Sequence, residues 1–319
     1  MEKFYGANRL PDKYKNNVVL ALGNFDGVHL GHQRVIENAI GMARNLNCLA
    51  GALIFHPHPV KVLNPDRAFP LITDLETKTD LLEKLGLDFI VVEPFDRQLA
   101  EMSPISFIKS YFEEIIKVKG IVAGYDYTFG HKAGGNKKLL EEWGGRNQVT
   151  VSICSPIMVE GEPVSSSIIR KKIKDGETEK AARLLNYYFF RKGPVVPGSG
   201  RGRHLGFPTA NLEVSPELLL PGEGVYLTLV QVGSSTYFGA TNVGRCPTFA
   251  ANDITVEVNL LDYTGDLYGQ WLTLYFIKKI REEKAFSSGE ELKLQLKSDI
   301  EQVRKMSQHI IDESFLKVN

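Results

Sequence analysis

The chain has 319 residues, with 38 Lys plus Arg against 38 Asp plus Glu, and 43% of it is hydrophobic. Zero formal net charge gives no global attraction to nucleic acid or to an anionic membrane, and the length and apolar share suit a globular protein with two cores. Three widely spaced cysteines (Cys48, Cys154, Cys246) make neither a disulfide framework nor a zinc pair, and the polar opening MEKFYGANRLPDKYKNN lacks the apolar core of a signal peptide, so a cytoplasmic protein is expected.

The first half alternates strand and helix patterns. Val18–Leu22 is an apolar run ending at Gly23 and reads as a buried strand. From His32 onward Val35, Ile36, Ala39, Ile40 and Ala43 recur at helical spacing. Residues 49–55 form a second strand, closed by His56-Pro57-His58-Pro59. A helix follows over 73–85, with Leu75, Lys78, Leu82 and Leu85 on one side, then a strand over 89–92. Ile105, Ile108, Phe112 and Ile115 mark another helix, and 121–123 and 149–153 are further strands. This alternation predicts an α/β unit: a parallel sheet with helices on both faces.

The pattern changes near 185–190, and the boundary is placed between 186 and 187. Beyond it lie short strands and Gly/Pro turns, among them Gly193-Pro194, Pro197-Gly198, Pro221-Gly222 and Tyr263-Thr264-Gly265-Asp266. Strands are expected at Gly224–Val232, 237–243, 254–262 and 271–280. They suggest a small antiparallel β-barrel or sandwich. A long amphipathic helix over 287–310 ends the chain, with Leu292, Leu296, Ile300, Val303 and Ile310 in one stripe.

Two stretches carry chemistry. The first runs Gly23-Asn24-Phe25-Asp26-Gly27-Val28-His29-Leu30-Gly31-His32, after a strand and before a helix. Open α/β sheets bind ligands there, and a helix N-terminus offers free N–H groups and a positive dipole end to phosphate. His29 and His32, three apart, can both face one anion. There is no GxGxxG for a dinucleotide and no GxxxxGK[ST] for a P-loop. Two histidines at this spacing also suit a metal, although neither HExxH nor a third ligand is evident, or a plain helix cap facing solvent. Later, Ser165-Ser166-Ser167-Ile168-Ile169-Arg170 opens a candidate helix, whose serines also suit an ordinary N-cap.

The second stretch is Gly198-Ser199-Gly200-Arg201-Gly202-Arg203, followed by Pro208-Thr209-Ala210-Asn211. Alternating glycines with two arginines make a flexible flap for phosphates, or a turn-rich linker with solvated charges. The Thr209 hydroxyl and the Asn211 amide are hard oxygen ligands for magnesium. Further on, Ile254, Val256 and Val258 share one strand face, and Thr255, Glu257 and Asn259 share the other. Glu257 is thus a candidate proton acceptor, or a surface Glu on a half-solvated strand.

The string GNFDGVHLGHQ from Gly23 resembles the FMN adenylyltransferase domain of bacterial bifunctional FAD synthetases, in which HxGH is the adenylyl-transfer signature. Ser165–Arg170 is similar to that superfamily's SSTxxR, with Ser167 in place of Thr. Gly124-Tyr125-Asp126-Tyr127-Thr128-Phe129-Gly130 resembles its GxDFxFG, and Phe55-His56-Pro57-His58-Pro59 a segment near the nucleotide. The family often carries a basic and later an acidic residue where this chain has Ala133 and Asn136. PTAN at 208–211, Asn242-Val243-Gly244-Arg245-Cys246-Pro247-Thr248-Phe249, Leu267-Tyr268-Gly269 and Ile280-Arg281-Glu282 resemble riboflavin-kinase landmarks.

The resemblance spans nearly the whole chain. It implies a Rossmann-like nucleotidyltransferase domain over 1–186 and a riboflavin kinase barrel with a C-terminal helix over 187–319. His29, His32, Arg170 and Glu257 become the catalytic candidates. Gly23, Asn24, Phe25, Gly31, Ser166, Ser167, Gly200, Arg201, Gly202 and Arg203 would bind ATP phosphates, and Phe55, Pro57, Asp126, Tyr127, Phe129 and Arg281 the flavin. Thr209 and Asn211 would hold magnesium. ATP is the co-substrate; riboflavin, FMN and FAD are substrates and products. No nucleic acid or membrane partner is expected, and a monomer or transient oligomer stays open. Also open are the loss of one activity, adenylylation before phosphorylation, and a flavin sensor without turnover.

Overall fold

The computed structural model describes residues 1–198, 200–245 and 254–308, with Arg201 by its backbone alone. Ser199 of the flap, Cys246 to Phe249 of the NxGxxPTF segment, and Ile310 lie outside the described residues. The chain divides into two compact units, Met1–Ser166 and Ser167–Val318.

In the first unit, β1 (Glu2–Tyr5) is followed by β2 (Val18–Leu22), α1 (Leu30–Asn45), β3 (Leu49–His56), α2 (Pro59–Leu63), α3 (Leu75–Lys84) and β4 (Phe89–Pro94). Then come α4 (Arg97–Glu101), α5 (Pro104–Phe107), a π-helical stretch (Ile108–Ile115), β5 (Gly120–Gly124), α6 (Lys137–Asn147), β6 (Thr150–Cys154), and the short hairpin of β7 (Met158–Val159) and β8 (Glu162–Pro163). Six strands pair in parallel in the order β1-β4-β3-β2-β5-β6.

All five residues of β2 are buried, as a strand covered on both faces requires. Val18, Leu20 and Leu22 join one core with Phe107, Phe112, Leu140 and Trp143. α1 lies on the opposite face, because a Cβ at Gly120 would meet both Met42 Sδ and Val19 Cγ2. The helix expected through Ile105 to Ile115 is instead α5 running into π turns. The wider turns put Phe107, Ile108, Tyr111, Phe112 and Ile116 inward and leave Ile105 70% exposed.

The chain lays β3 and β4 on one side of β2 and β5 and β6 on the other. The carboxyl end of β2 is therefore a topological switch point, where such sheets open a crevice for ligands. Leu22 pairs with Leu53 of β3 and Ala123 of β5. The segments that follow β2, β3 and β5 therefore leave the sheet at one edge.

The second unit takes α7 (Ser166–Lys174) from Ser167 onward, α8 (Thr178–Leu185), β9 (Phe190–Val196), α9 (Arg201–His204), β10 (Ala210–Leu212), β11 (Gly224–Val232), β12 (Ser235–Arg245), β13 (Ile254–Leu260), β14 (Trp271–Arg281) and α10 (Gly289–Ser307). The strands close an antiparallel barrel in the order β10-β13-β12-β11-β14-β9, which resolves the choice between barrel and sandwich. Val243, Val256, Val258, Leu272, Leu274 and Phe276 are each at most 2% exposed. The helices α7 and α8 join the barrel: Thr178 Oγ1 donates to Ile277 O at 3.1 Å, and Gly222 N to Ile173 O at 3.0 Å. α10 covers the outer face, burying Val303 against Leu227, Leu229 and Ile277.

The turn expected at Gly193-Pro194 is a correction, since both residues lie inside β9. Proline removes only one donor there, and Pro194 O still accepts from Glu213 N at 3.0 Å. Gly193 is needed because a Cβ would sit 2.0 Å from Glu213 O.

Candidate active sites

The stretch after β2 is a tight turn held in costly backbone geometry. Phe25 (φ 49°) and the β-branched Val28 (φ 37°) take left-handed conformations on either side of Gly27 (φ 84°). Such geometry survives only where the surroundings fix it, and it concentrates at functional sites. Here a buried polar network fixes it. The Asp26 carboxylate, 1% exposed, accepts from Ile72 N at 3.1 Å, Thr73 N at 3.0 Å and Thr73 Oγ1 at 3.2 Å. Gly27 N donates to Thr73 Oγ1 at 3.0 Å, and Ser166 Oγ donates to Asp26 O at 2.8 Å.

This turn delivers His29 as the N-cap of α1, its Nδ1 accepting from His32 N at 3.3 Å. The two imidazoles stack at 3.6 Å with 16° between planes, and Phe25 meets His32 edge-on at 5.2 Å. His29 is only 5% exposed, which sets aside a cap that faces solvent. No group of three His, Cys, Asp or Glu that could hold a metal occurs among the described residues. A Cβ at Gly31 would lie 3.2 Å from the His29 ring, so glycine there lets the helix start beside the imidazole. Gly23 and Asn24 lead in, half-buried.

Phe55 is the penultimate residue of β3, and Pro57 follows His56 across a cis bond. Asp126, Tyr127 and Phe129 follow β5 at the same sheet edge. Asp126 is exposed, whereas Phe129 is 6% exposed and stacks on Tyr127 at 5.8 Å as part of the core. Burial pushes the Tyr127 hydroxyl well above the usual phenol range. Asn136 caps α6, its Oδ1 accepting from Leu139 N at 3.2 Å. Ala133 sits at φ 55° in the short 3₁₀ turn before it. Along α7, Ser166 and Arg170 are four apart and so share a helix face, with Ser167 adjacent.

The barrel site rests on sheet register. Asn211 of β10 pairs with Glu257 of β13, and Glu257 pairs with Asn242 of β12. Directly paired residues share a face, so Asn211, Glu257 and Asn242 form one transverse row. Val256 and Val258 are buried while Thr255, Glu257 and Asn259 are half-buried, as the alternation predicts; Ile254, at the strand's start, is 40% exposed. Thr209 Oγ1 stands 3.5 Å from Glu257 Oε2, and Asn259 Nδ2 donates to Pro208 O at 2.8 Å.

The glycine segment closes onto this row. A Cβ at Gly198 would lie 2.0 Å from Asn211 Nδ2, and one at Gly202 would lie 3.3 Å from Thr209 Oγ1. Gly200 (φ 70°) and Gly206 (φ 88°) supply the left-handed turns, and Arg201 opens the short helix between them. Arg203 is exposed, with its guanidinium 5.9 Å from the Tyr268 ring centre. Register carries that row on through Val225 of β11 to Arg281 of β14, whose guanidinium bonds Asp299 of α10 twice, at 2.9 and 2.7 Å.

Thr209, Asn211 and Glu257 offer a hydroxyl, an amide and a carboxylate, all hard oxygen donors. Magnesium is commonly held by a few such groups, with phosphate and water completing its shell, so the residues fit it. Sequence reading missed Thr73, which belongs to no motif, and the Asn242–Glu257 pairing, which register alone reveals.

A strained turn at the switch point of a parallel sheet, and a glycine segment beside a Thr–Asn–Glu set on a barrel, give the chain two separate candidate sites with the chemistry of phosphate binding. The FAD synthetase family model matches residues 12–168, and the riboflavin kinase model matches residues 185–307. The chain is 38% identical over 291 residues to a bifunctional riboflavin kinase/FMN adenylyltransferase of Listeria monocytogenes, covering 90% of this chain and 92% of that one. It is 37% identical to the Bacillus subtilis enzyme of the same name, covering 88% and 90%, and 32% identical to that of Escherichia coli, covering 94% and 96%. A solved structure titled macrolide-efflux protein from Streptococcus pneumoniae matches with a TM-score of 0.86 at 30% identity, over 95% of this chain and 99% of that one. The chain belongs to the bifunctional riboflavin kinase/FMN adenylyltransferase family. Among the described residues, no helix is long and apolar enough to cross a membrane.

Proposed function

We propose that this chain phosphorylates riboflavin to FMN on the barrel and adenylylates FMN to FAD at the turn after β2, with the functional division between 186 and 187. The observation that carries the reading is that one chain holds both constellations: the stacked His29–His32 pair at the start of α1, and the Thr209–Glu257 contact under the glycine flap. Retention of both favours two activities over a single one or a sensor. The protein acts in the cytoplasm on small molecules.

In adenylylation, a phosphate oxygen of FMN attacks the α-phosphorus of ATP. The bond to the bridging oxygen breaks, and pyrophosphate leaves. The enzyme orients the reactants and stabilises charge: N–H groups at the start of α1, His29 and His32 face the triphosphate, and Ser166, Ser167 and Arg170 add donors from α7. Gly23, Asn24, Phe25 and Gly31 shape the cradle. Phe55, Pro57, Asp126, Tyr127 and Phe129 line the flavin side.

In phosphorylation, Glu257 accepts the proton of the terminal ribityl hydroxyl as that oxygen attacks the γ-phosphorus and ADP leaves. Gly200, Arg201, Gly202 and Arg203 cover the phosphates, and Arg281 acts toward the flavin. Thr209 and Asn211 would hold magnesium, which when bound would supply neutralisation of the charge that develops on the phosphates.

Incubation of purified protein with riboflavin, magnesium and ATP, followed by chromatography, tests the reading. FMN should accumulate first and FAD second. FMN alone would reject the adenylyltransferase half, and no FMN would reject the kinase half.

A further inference from the structure

We infer that Thr73 is a positioning residue for adenylyl transfer, its hydroxyl holding the strained turn that aims His29 and His32. The inference rests on the adenylyltransferase reading of that turn. Thr73 is 3% exposed. Its Oγ1 accepts from Gly27 N at 3.0 Å and donates to Asp26 Oδ1 at 3.2 Å, and its own N–H donates to that same oxygen at 3.0 Å. One hydroxyl thus bonds the two residues that separate Phe25 from Val28, the positions in left-handed backbone. Removing it leaves Gly27 N–H without that acceptor in a buried turn, a cost the turn relieves by moving.

Three segments meet through this latch. The Asp26 carbonyl accepts from Ser166 Oγ, where α7 begins. On the other side, the loop that leads to Thr73 carries Phe69, whose ring lies 4.9 Å from that of His58, the N-cap of α2. A shift of Thr73 therefore displaces the His29–His32 turn relative to Ser166. Displacements of about 1 Å in such a constellation cost roughly a hundredfold in rate.

Thr73→Val keeps the shape and removes the hydroxyl; Thr73→Ser keeps the hydroxyl and removes the methyl. The readout is FAD formation from FMN in a single turnover, with enzyme in saturating excess, so that the rate constant reports folded molecules rather than their number. Thr73→Val should lower that rate constant about tenfold to a hundredfold. Thr73→Ser should restore it, and FMN formation from riboflavin should stay at the wild-type rate in both. An unchanged rate constant in Thr73→Val, or equal loss in Thr73→Ser, overturns the inference. If Thr73→Val yields no folded first unit, Asp26→Asn takes its place under the same criterion, since it withdraws charge from the same bonds. Absence of FAD formation by the wild-type chain would instead reject the adenylyltransferase reading.

Discussion

The two sites place their chemistry by opposite means. After β2, the groups proposed to meet phosphate sit on a loop and a helix start, in a backbone turn whose Asp26 and Gly27 bond Thr73 from a distant part of the chain. On the barrel, Asn211, Glu257 and Asn242 are aimed by strand register, and only the glycine flap above them is irregular. A loop site can surround a large substrate but depends on buried bonds far from it in sequence. A register site needs no such support, because a slip would turn the whole strand over.

That contrast is broken most sharply at Glu257. Glu257→Ala should lower FMN formation about a hundredfold to ten-thousandfold, while FAD formation from supplied FMN is unchanged. Steady-state rates with each substrate check it; equal loss of both activities would mean the residue supports folding instead. His29→Ala should lower FAD formation about a hundredfold to a thousandfold and spare FMN formation, as loss of a positioned donor to phosphate does.

A smaller effect sharpens the role of the flap. Gly198→Ala places a Cβ about where the Asn211 amide now lies. The kinase rate should fall about tenfold to a hundredfold, with FAD formation from FMN unaffected. Unaltered kinase kinetics would show that the flap does not need to lie close to Asn211.

The smallest effect concerns pH. Glu283, after β14, is a surface residue whose carboxyl is held above the usual carboxylate range, chiefly by partial desolvation and then by its hydrogen bond to Glu223. The Glu223 carboxylate in turn accepts from Arg245 Nε at 2.9 Å. Because the folded value is raised, the stabilisation belongs to the protonated form. It is fully present below the ordinary carboxyl value and fades as pH rises through the raised one. Thermal melts from acid to neutral pH should show Glu283→Gln flattening that decline relative to wild type, and identical slopes would contradict it.

Much of the architecture was legible because periodicity reports burial. The apolar run of β2, the alternation in β13 and the stripe Leu292, Leu296, Ile300 and Val303 each appear as elements with the expected face. The errors are local. Gly193-Pro194 looks like a turn, and no neighbouring residue reveals that Glu213 O presses on that strand. The π turns of 108–115 shift the buried face by a residue, so the helical count through Ile105 misleads.

Site legibility followed the same division. Glu257 and its row follow from counting along strands once the pairing is known. Thr73 carries no local signal, because its importance arises from bonds to residues 46 and 47 positions away.

The most direct test crosses the two sites. Glu257→Ala and His29→Ala proteins are assayed separately and mixed, with riboflavin, magnesium and ATP, and FAD is measured. Two separate active sites in one chain predict that neither variant alone makes FAD at an appreciable rate, and that the mixture does, through FMN released by the His29→Ala protein. FAD from either variant alone at the wild-type rate, or a mixture that accumulates FMN without FAD, would contradict it.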